Sequence, residues 1–266
     1  MMKPMITLLT DFGLKDTYIG QMKGVIGSIC PEVKVVDITH EVPAQDIAYG
    51  GYLLCDAMEA FPRGTIHVVV VDPGVGSERK AIAVKFELGY LIGPDNGIFT
   101  EVINRYGAET IIELDQPDYW FGESKTFHGR DIFAPASAHL ACGVMLRDMG
   151  TTLNDLVKLN LPELIVHDQI LTGHIVMIDH FGNMLSNIRR DEYENWLEEY
   201  EGELLVRGED TRLHGICKTF ADVSEGAAVA YFGSSARLEI GVRNRNAAQE
   251  LDGGIGDIVI IEKINQ

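Results

Sequence analysis

Apolar positions along the first half of the chain alternate between a strand period and a helix period. Ile6 to Thr10 is a short apolar run that closes in Thr10-Asp11-Phe12-Gly13, the pattern of a strand entering a turn. The next segment sets Tyr18, Ile19, Met22, Val25, Ile26 and Ile29 on one helical face and stops at Pro31. Val33 to Ile38 is again strand-like. After the Pro43 turn, a second amphipathic helix carries Ile47, Gly51, Leu54, Cys55 and Met58 inward. Val68 to Val71 then form an unbroken β-branched run closed by Asp72-Pro73-Gly74, which suits a central parallel strand buried on both faces. Ala81 to Phe86 and Tyr90 to Ile92 pattern as a hairpin. A helix with Ile98, Phe99, Val102 and Ile103 inside follows, then a strand from Thr110 to Leu114. Beyond an aromatic loop, Asp118 to Gly122, the stretch Phe127-His128-Gly129-Arg130-Asp131 opens a helix that continues through Ile132, Phe133, Ala136 and Leu140.

Past Leu161-Pro162 the pattern changes. Short strand-like runs at Gly173 to Ile178, Leu204 to Val206, Ala227 to Phe232, Arg237 to Val242 and Asp257 to Ile261 are separated by polar connections, with one acidic helical piece from Glu192 to Tyr200. Strands alternating with helices predict an N-terminal α/β domain, a doubly wound, Rossmann-like sheet over residues 1–163. The later strands predict a small C-terminal β-barrel domain over 170–266.

Composition narrows the class of partner. Twenty-two Lys and Arg against 40 Asp and Glu leave a net charge of −18, a field that repels the phosphates of nucleic acid. No apolar segment reaches membrane-spanning length, and MMKPMITLLTDFG is patterned as a strand rather than a signal peptide, so a cytoplasmic protein without a membrane partner is expected. The four cysteines, Cys30, Cys55, Cys142 and Cys217, are far apart with no C-x-x-C pair, and are expected to be structural thiols.

Candidate chemistry gathers where strands of a parallel sheet should end, the edge at which open α/β sheets bind ligands. Asp11, Asp16, Asp37, His40, Asp72, Arg79, Asp95, His128, Arg130 and Asp131 all belong to such ends and loops. Asp and His together could hold a divalent metal and hydrolyse a phosphoester, but no His-x-His or H-E-x-x-H is present, and the arginines oppose a dication, so no metal is expected. G-V-G-S after Asp72 lacks the glycine and lysine spacing of a Rossmann fingerprint or a P-loop, which disfavours a nucleotide held by its phosphates. What remains is Asp72, Arg79 and His128, types able to orient and deprotonate a small nucleophile such as water. A turn-capping Asp beside a solvated Arg is the plain alternative. In the second half, Asp179-His180-Phe181-Gly182-Asn183 ends a strand with an aromatic ring for stacking and an amide for hydrogen bonding, which suits a purine. It also suits a simple β-turn.

Taken together, LLTDFGLKDTYIGQMKG, VVDITHEVPAQDI, VVVVDPGVGSERK, GPDNGIF, FHGRDIFAPASAHLA, IDHFGNMLSNI and GSSARLEIGVRNRNAA resemble the S-adenosyl-L-methionine (SAM) hydroxide adenosyltransferases, adenosine-forming SAM hydrolases related to fluorinase and chlorinase. The resemblance runs from about Met5 to Ile261. It implies hydrolysis of SAM to adenosine and L-methionine without a cofactor, in a homotrimer whose active sites lie between subunits. Asp72, Arg79 and His128 would be catalytic, and the halide-using relatives differ at the Asp72 and His128 positions. Among substrate contacts, Asp11 would meet the ribose hydroxyls and Asp16 the methionine ammonium. Phe181, Asn183 and the Ala247 backbone would serve the adenine and Ser234 and Ser235 the carboxylate, with Asp179 and Asn246 also binding substrate. A halide-using adenosyltransferase and a non-catalytic adenosine or SAM sensor are the competing readings.

Overall fold

The structure, a computed structural model, describes residues 5–122, 125–198, 200–208 and 211–264. The chain divides into two compact units, Met1–Asn160 and Leu161–Gln266.

In the first unit the elements run β1 (Met5–Thr10), α1 (Tyr18–Ile29), β2 (Lys34–Thr39), α2 (Ile47–Ala57), β3 (Thr65–Val70), β4 (Ala81–Phe86), β5 (Gly89–Pro94), α3 (Thr100–Tyr106), β6 (Thr110–Glu113), α4 (Ala134–Ala141) and β7 (Thr151–Leu153). The sheet order is β2-β1-β3-β5-β4-β6-β7. β2, β1, β3 and β5 are mutually parallel, and β4, β6 and β7 continue the sheet antiparallel. The sheet is therefore mixed, because the tight β4–β5 hairpin reverses the chain where a helical crossover would have kept it parallel. Helices nevertheless cover both faces. Along β3, Ile66, Val68 and Val70 pack with α1 and α4 residues such as Met22, Ile26 and Ala138. Val69 and Val71 point the other way, into a core shared with Leu54, Cys55 and Val102 of α2 and α3. The β-branched run of the sequence is thus the seam between two cores.

The second unit contains β8 (Ile165–Val166), β9 (Ile170–Ile178), β10 (Met184–Arg189), α5 (Arg190–Leu197), β11 (Glu203–Arg207), β12 (Arg212–His214), β13 (Ala228–Phe232), β14 (Arg237–Val242), α6 (Ala247–Glu250) and β15 (Ile258–Ile264). Its antiparallel sheet has the order β12-β11-β15-β9-β10-β14-β13, with β8 beside β9. A bridge between Cys217 and Tyr231 draws its two ends together into a nearly closed, barrel-like wall around Leu171, Ile188, Leu238 and Ile261. β10 escaped the periodicity because two of its buried positions are polar. Ser186 is buried and donates its hydroxyl to Leu238 O at 2.9 Å, and Arg189 is also buried. The acidic helix begins at Arg190 and ends at Leu197. Tyr200 is not helical, its hydroxyl instead donating to Ile264 O at 2.6 Å, and Glu199 lies outside the described residues. No helix among the described residues is long and apolar enough to cross a membrane.

The cysteine expectation needs correction. Cys30 and Cys142 form a disulfide across 112 residues of sequence, while Cys55 and Cys217 are free thiols. The pair ends α1 and α4, whose C-terminal ends meet, a proximity that spacing along the chain cannot reveal. Closing a loop of that length restricts the unfolded chain by on the order of 4 kcal/mol. Cys142→Ser is expected to lower the unfolding free energy in urea by about that amount, and a reductant is expected to do the same to the wild type.

A second stability effect comes from His67. Its ring is buried in β3, hydrogen-bonded through Nδ1 to Thr7 Oγ1 at 2.8 Å, and burial pushes its pKa down to about 4. Between pH 6.5 and 4 the unfolded state therefore binds the proton that the folded state refuses. Stability is whole above pH 6.5 and falls as the pH drops towards 4. Urea titrations at pH 7 and pH 4 are expected to show about 3 kcal/mol of loss from this residue, absent from the pH dependence of His67→Gln.

Candidate active site

β3 ends at Val70. Buried Val71 continues the run, and Asp72 emerges at the carboxyl edge of the sheet. Two consecutive turns then double the chain back. Val75 N donates to Asp72 O at 3.2 Å, and Ser77 N donates to Gly74 O at 3.1 Å. Gly76 sits at φ +80° where a Cβ would come within 2.5 Å of Lys125 O, so only glycine lets this loop pass under its neighbour. The reversal returns Arg79 onto Asp72. Arg79 Nε donates to Oδ1 at 3.0 Å and Nη2 donates to Oδ2, with side-chain exposures of only 9% for Arg79 and 4% for Asp72. The guanidinium also lies 5.5 Å from the centre of the Phe133 ring.

The same Nη2 meets His128 Nδ1 at 2.6 Å. A guanidinium has only donors, so Nδ1 must be the acceptor, and the neutral ring carries its proton on Nε2. Burial lowers the His128 pKa below the ordinary imidazole value, and the Arg79 cation lowers it further against the opposing pull of Asp72 and Asp131. His128 precedes a π-helical turn, Gly129–Phe133, that leads into α4. Arg130 and Asp131 pair with each other inside that turn, Nε to Oδ1 at 2.6 Å. Arg130 also donates to Gln21 Oε1 at 2.9 Å and lies over the Phe127 ring. They brace the segment that presents His128. Asp72 and His128 line a cavity of about 220 Å³ whose apolar wall is Phe12, Tyr18 and Phe127, with ring centres 5.1 to 5.8 Å apart. Sequence reasoning missed this wall, though an aromatic stands directly beside Asp11 and directly beside His128.

The other strand-end candidates of this unit, Asp16 apart, have hydrogen-bond or ion-pair partners of their own. Asp11 Oδ2 accepts from Gln45 N at 2.8 Å, and Asp16 is exposed in the loop before α1. Asp37 meets Lys23 at 2.6 Å and His40 at 3.1 Å, with His40 Nδ1 also on Thr10 Oγ1. Asp95 accepts from Val157 N. These last three hold the strand ends in place. Among the described residues no group of three or more His, Cys, Asp or Glu could hold a metal ion.

The second unit has a cavity of about 640 Å³ lined by Phe181, Asn183, Phe220, Tyr231, Arg245 and Asn246 among others. Phe181 is 74% exposed at the tip of the β9–β10 turn, and the Asp179 carboxylate accepts from Phe181 N at 2.9 Å and from Asn183 N at 2.8 Å. Asn246 caps α6 by accepting from Gln249 N at 2.9 Å, and Ala247 is fully buried behind it. Burial, reinforced by Glu239, raises the Tyr231 phenol pKa, keeping it protonated. Ser234 and Ser235 are not among the residues lining this cavity. They occupy the β13–β14 turn, at the opposite end of six-residue β14 from Asn246, roughly 17 Å of strand away. Ser234 is exposed, whereas the Ser235 hydroxyl oxygen is buried without a hydrogen-bond partner.

Residues 6–150 match the family model of the SAM hydroxide adenosyltransferase N-terminal domain, and residues 173–260 that of the SAM hydroxide adenosyltransferase C-terminal domain. The chain is 35% identical over 260 residues to an (R)-S-adenosyl-L-methionine hydrolase of Salinispora tropica, covering 96% of each protein. It is 32% identical over 283 residues to a fluorinase of Nocardia brasiliensis, covering 92% of this chain and 91% of the fluorinase. Among solved structures, an uncharacterized conserved protein from Thermotoga maritima superposes with a TM-score of 0.90 at 36% identity, over 97% of this chain and all of that one.

The Arg79 cation beside His128 sets a direction for its titration. Its imidazole midpoint, followed by NMR, is expected below 6.5, and Arg79→Met is expected to move it upward by removing the neighbouring cation.

Proposed function

The chain belongs to the SAM hydroxide adenosyltransferase family, and on that premise we propose that it hydrolyses SAM to adenosine and L-methionine by attack of a water oxygen on ribose C5′. The observation that carries this reading is the hydrogen-bonded Asp72–Arg79–His128 set at the wall of the smaller cavity. Two of its members face the space where a nucleophile would sit. The SAM hydrolase relative at 35% identity supports the same reaction, and the −18 charge of the chain favours a substrate carrying a sulfonium and an ammonium.

The physical demand of the reaction falls on the nucleophile. As the water oxygen bonds to C5′, the C5′–S bond breaks with its electron pair passing to sulfur, so a neutral thioether leaves and needs no acid. His128, with its proton on Nε2, donates to the water oxygen and stabilises hydroxide character there. Its Nδ1 lone pair is already engaged by Arg79, so the departing proton goes to an unshared lone pair of Asp72. Hydroxide and sulfonium annihilate charge as they react, and the aromatic wall of Phe12, Tyr18 and Phe127 excludes the water that would stabilise them apart.

Substrate contacts complete the reading. Asp11 takes the ribose hydroxyls and Asp16 the methionine ammonium. Phe181 stacks on the adenine while Asn183, Asn246 and the Ala247 backbone meet its edge, with Asp179 behind them, and Ser234 and Ser235 receive the carboxylate. A homotrimer, with the two pockets furnished by different subunits, joins these groups. The reaction needs no metal, since the Arg79 guanidinium already occupies the position of positive charge beside Asp72.

Incubation of the protein with SAM in oxygen-18 water is expected to give methionine and adenosine labelled in the 5′-hydroxyl, at a rate unchanged by EDTA. Asp72→Ala is expected to lower kcat by about 10²- to 10⁴-fold. Formation of only 5′-chloro-5′-deoxyadenosine in chloride buffer would instead establish halide transfer. Tight adenosine binding with no turnover over hours would establish a sensor.

A further inference from the structure

The β9–β10 turn contains a second case of one group fixing another. The Asp179 carboxylate accepts three hydrogen bonds from its own turn, from Phe181 N at 2.9 Å, Asn183 N at 2.8 Å and Asn183 Nδ2 at 2.8 Å. An ionised carboxylate has no hydrogen to give, so the Asn183 amide can meet it only through nitrogen. That settles which way the amide points. Its Oδ1 is turned towards β14, where a Cβ built on Gly241 would stand 3.0 Å away, and Asn183, Gly241, Tyr231 and Phe181 all line the larger cavity. The amide retains for a ligand two lone pairs on Oδ1 and one N–H.

We propose that Asp179 is a positioning residue that makes this pocket selective for a 6-aminopurine over a 6-oxopurine. The proposal rests on the SAM-hydrolase reading above and deepens it. An exocyclic amine donates to Oδ1 while the adjacent N1, which carries no proton in a 6-aminopurine, accepts from the remaining amide N–H. A 6-oxo base sets an oxygen acceptor against Oδ1. Accommodating it requires the Asn183 amide to flip, which would press Oδ1 against the Asp179 carboxylate. One mismatched pair of this kind costs about tenfold to a hundredfold in relative binding.

The test compares kcat/KM for SAM and for S-inosyl-L-methionine, its 6-oxo analogue, on the full chain and on Asp179→Asn. The new amide's carbonyl stays with the two backbone N–H groups, so its NH2 faces the Asn183 side chain and turns Oδ1 of Asn183 towards it. The wild type is expected to prefer SAM by about tenfold to a hundredfold, and in the variant that preference is expected to be lost or reversed, through a gain on the inosyl substrate. A role confined to holding the turn would lower both substrates alike and keep the ratio. An unchanged ratio, or a wild type without preference, overturns the proposal. If the wild type turns over neither substrate, the hydrolase reading fails instead, and calorimetry with adenosine and inosine reads the same discrimination as binding. Should Asp179→Asn not fold, Gly241→Ala sets a methyl against Oδ1 and is expected to weaken adenosine binding by about tenfold. Undiminished binding there overturns the placement of the carbonyl.

Discussion

The first unit is organised around one chemical asymmetry: Arg79 can only give hydrogen bonds. Placed between Asp72 and His128 with almost no exposure, it fixes the state of both. The carboxyl group accepts two of its N–H groups, and the imidazole must be unprotonated at Nδ1 to accept another. Asp72 and Arg79 cancel each other's charge, so the set as a whole is neutral. Removing either partner would leave a buried charge uncompensated, a change that is costly beyond the loss of the hydrogen bonds themselves.

Much of the surrounding structure follows from keeping three groups within hydrogen-bond reach when Arg79 and His128 are 49 residues apart in sequence. The loop between Asp72 and Arg79 must reverse sharply, which Gly76 permits by adopting a left-handed conformation under Lys125. On the other side, the π-helical turn after His128 departs from regular helix geometry where that residue reaches the cavity wall. Arg130 and Asp131 stiffen it. Parallel β2, β1, β3 and β5 deliver Thr39, Thr10, Val70 and Pro94 to one edge, so the loops that begin there share a single neighbourhood.

The sequence announced this arrangement unevenly. Strong periodicity located α1, α2, β1 and β3, since each owes its existence to a continuous apolar face. It failed at β10, where Ser186 and Arg189 occupy buried positions, and at the short β7, β8 and β12, which depend on neighbouring strands rather than on their own pattern. Nor could local sequence separate Asp72 from Asp37 or Asp95, or Arg79 from Arg130, because all five sit at or beside the ends of strands and helices among similar polar neighbours. What distinguishes them is the partner: Asp37 meets a lysine and a histidine, Asp95 a backbone amide, Arg130 its immediate neighbour. Motif order across the whole chain carried the discrimination that local spacing lacked. The Cys30–Cys142 bond had no such signal, since it records only where two helix ends meet.

The two cavities share a design in which a saturated group behind the wall decides what the wall presents. Arg79 spends its donors on Asp72 and His128, leaving Nε2–H of His128 for the cavity. Asp179 spends its acceptors on its own turn, leaving the carbonyl of Asn183. In each case the exposed group could otherwise adopt two states, a pair of tautomers or a pair of amide orientations, and its neighbour removes one of them. A ligand meeting such a group does not bear the free-energy cost of selecting the right state, and a ligand of the wrong hydrogen-bonding polarity cannot induce the other. Isosteric exchange at the group behind the wall therefore separates positioning from contact more cleanly than truncation of the group in front. At Asp179 it selects the second state while leaving shape and packing in place.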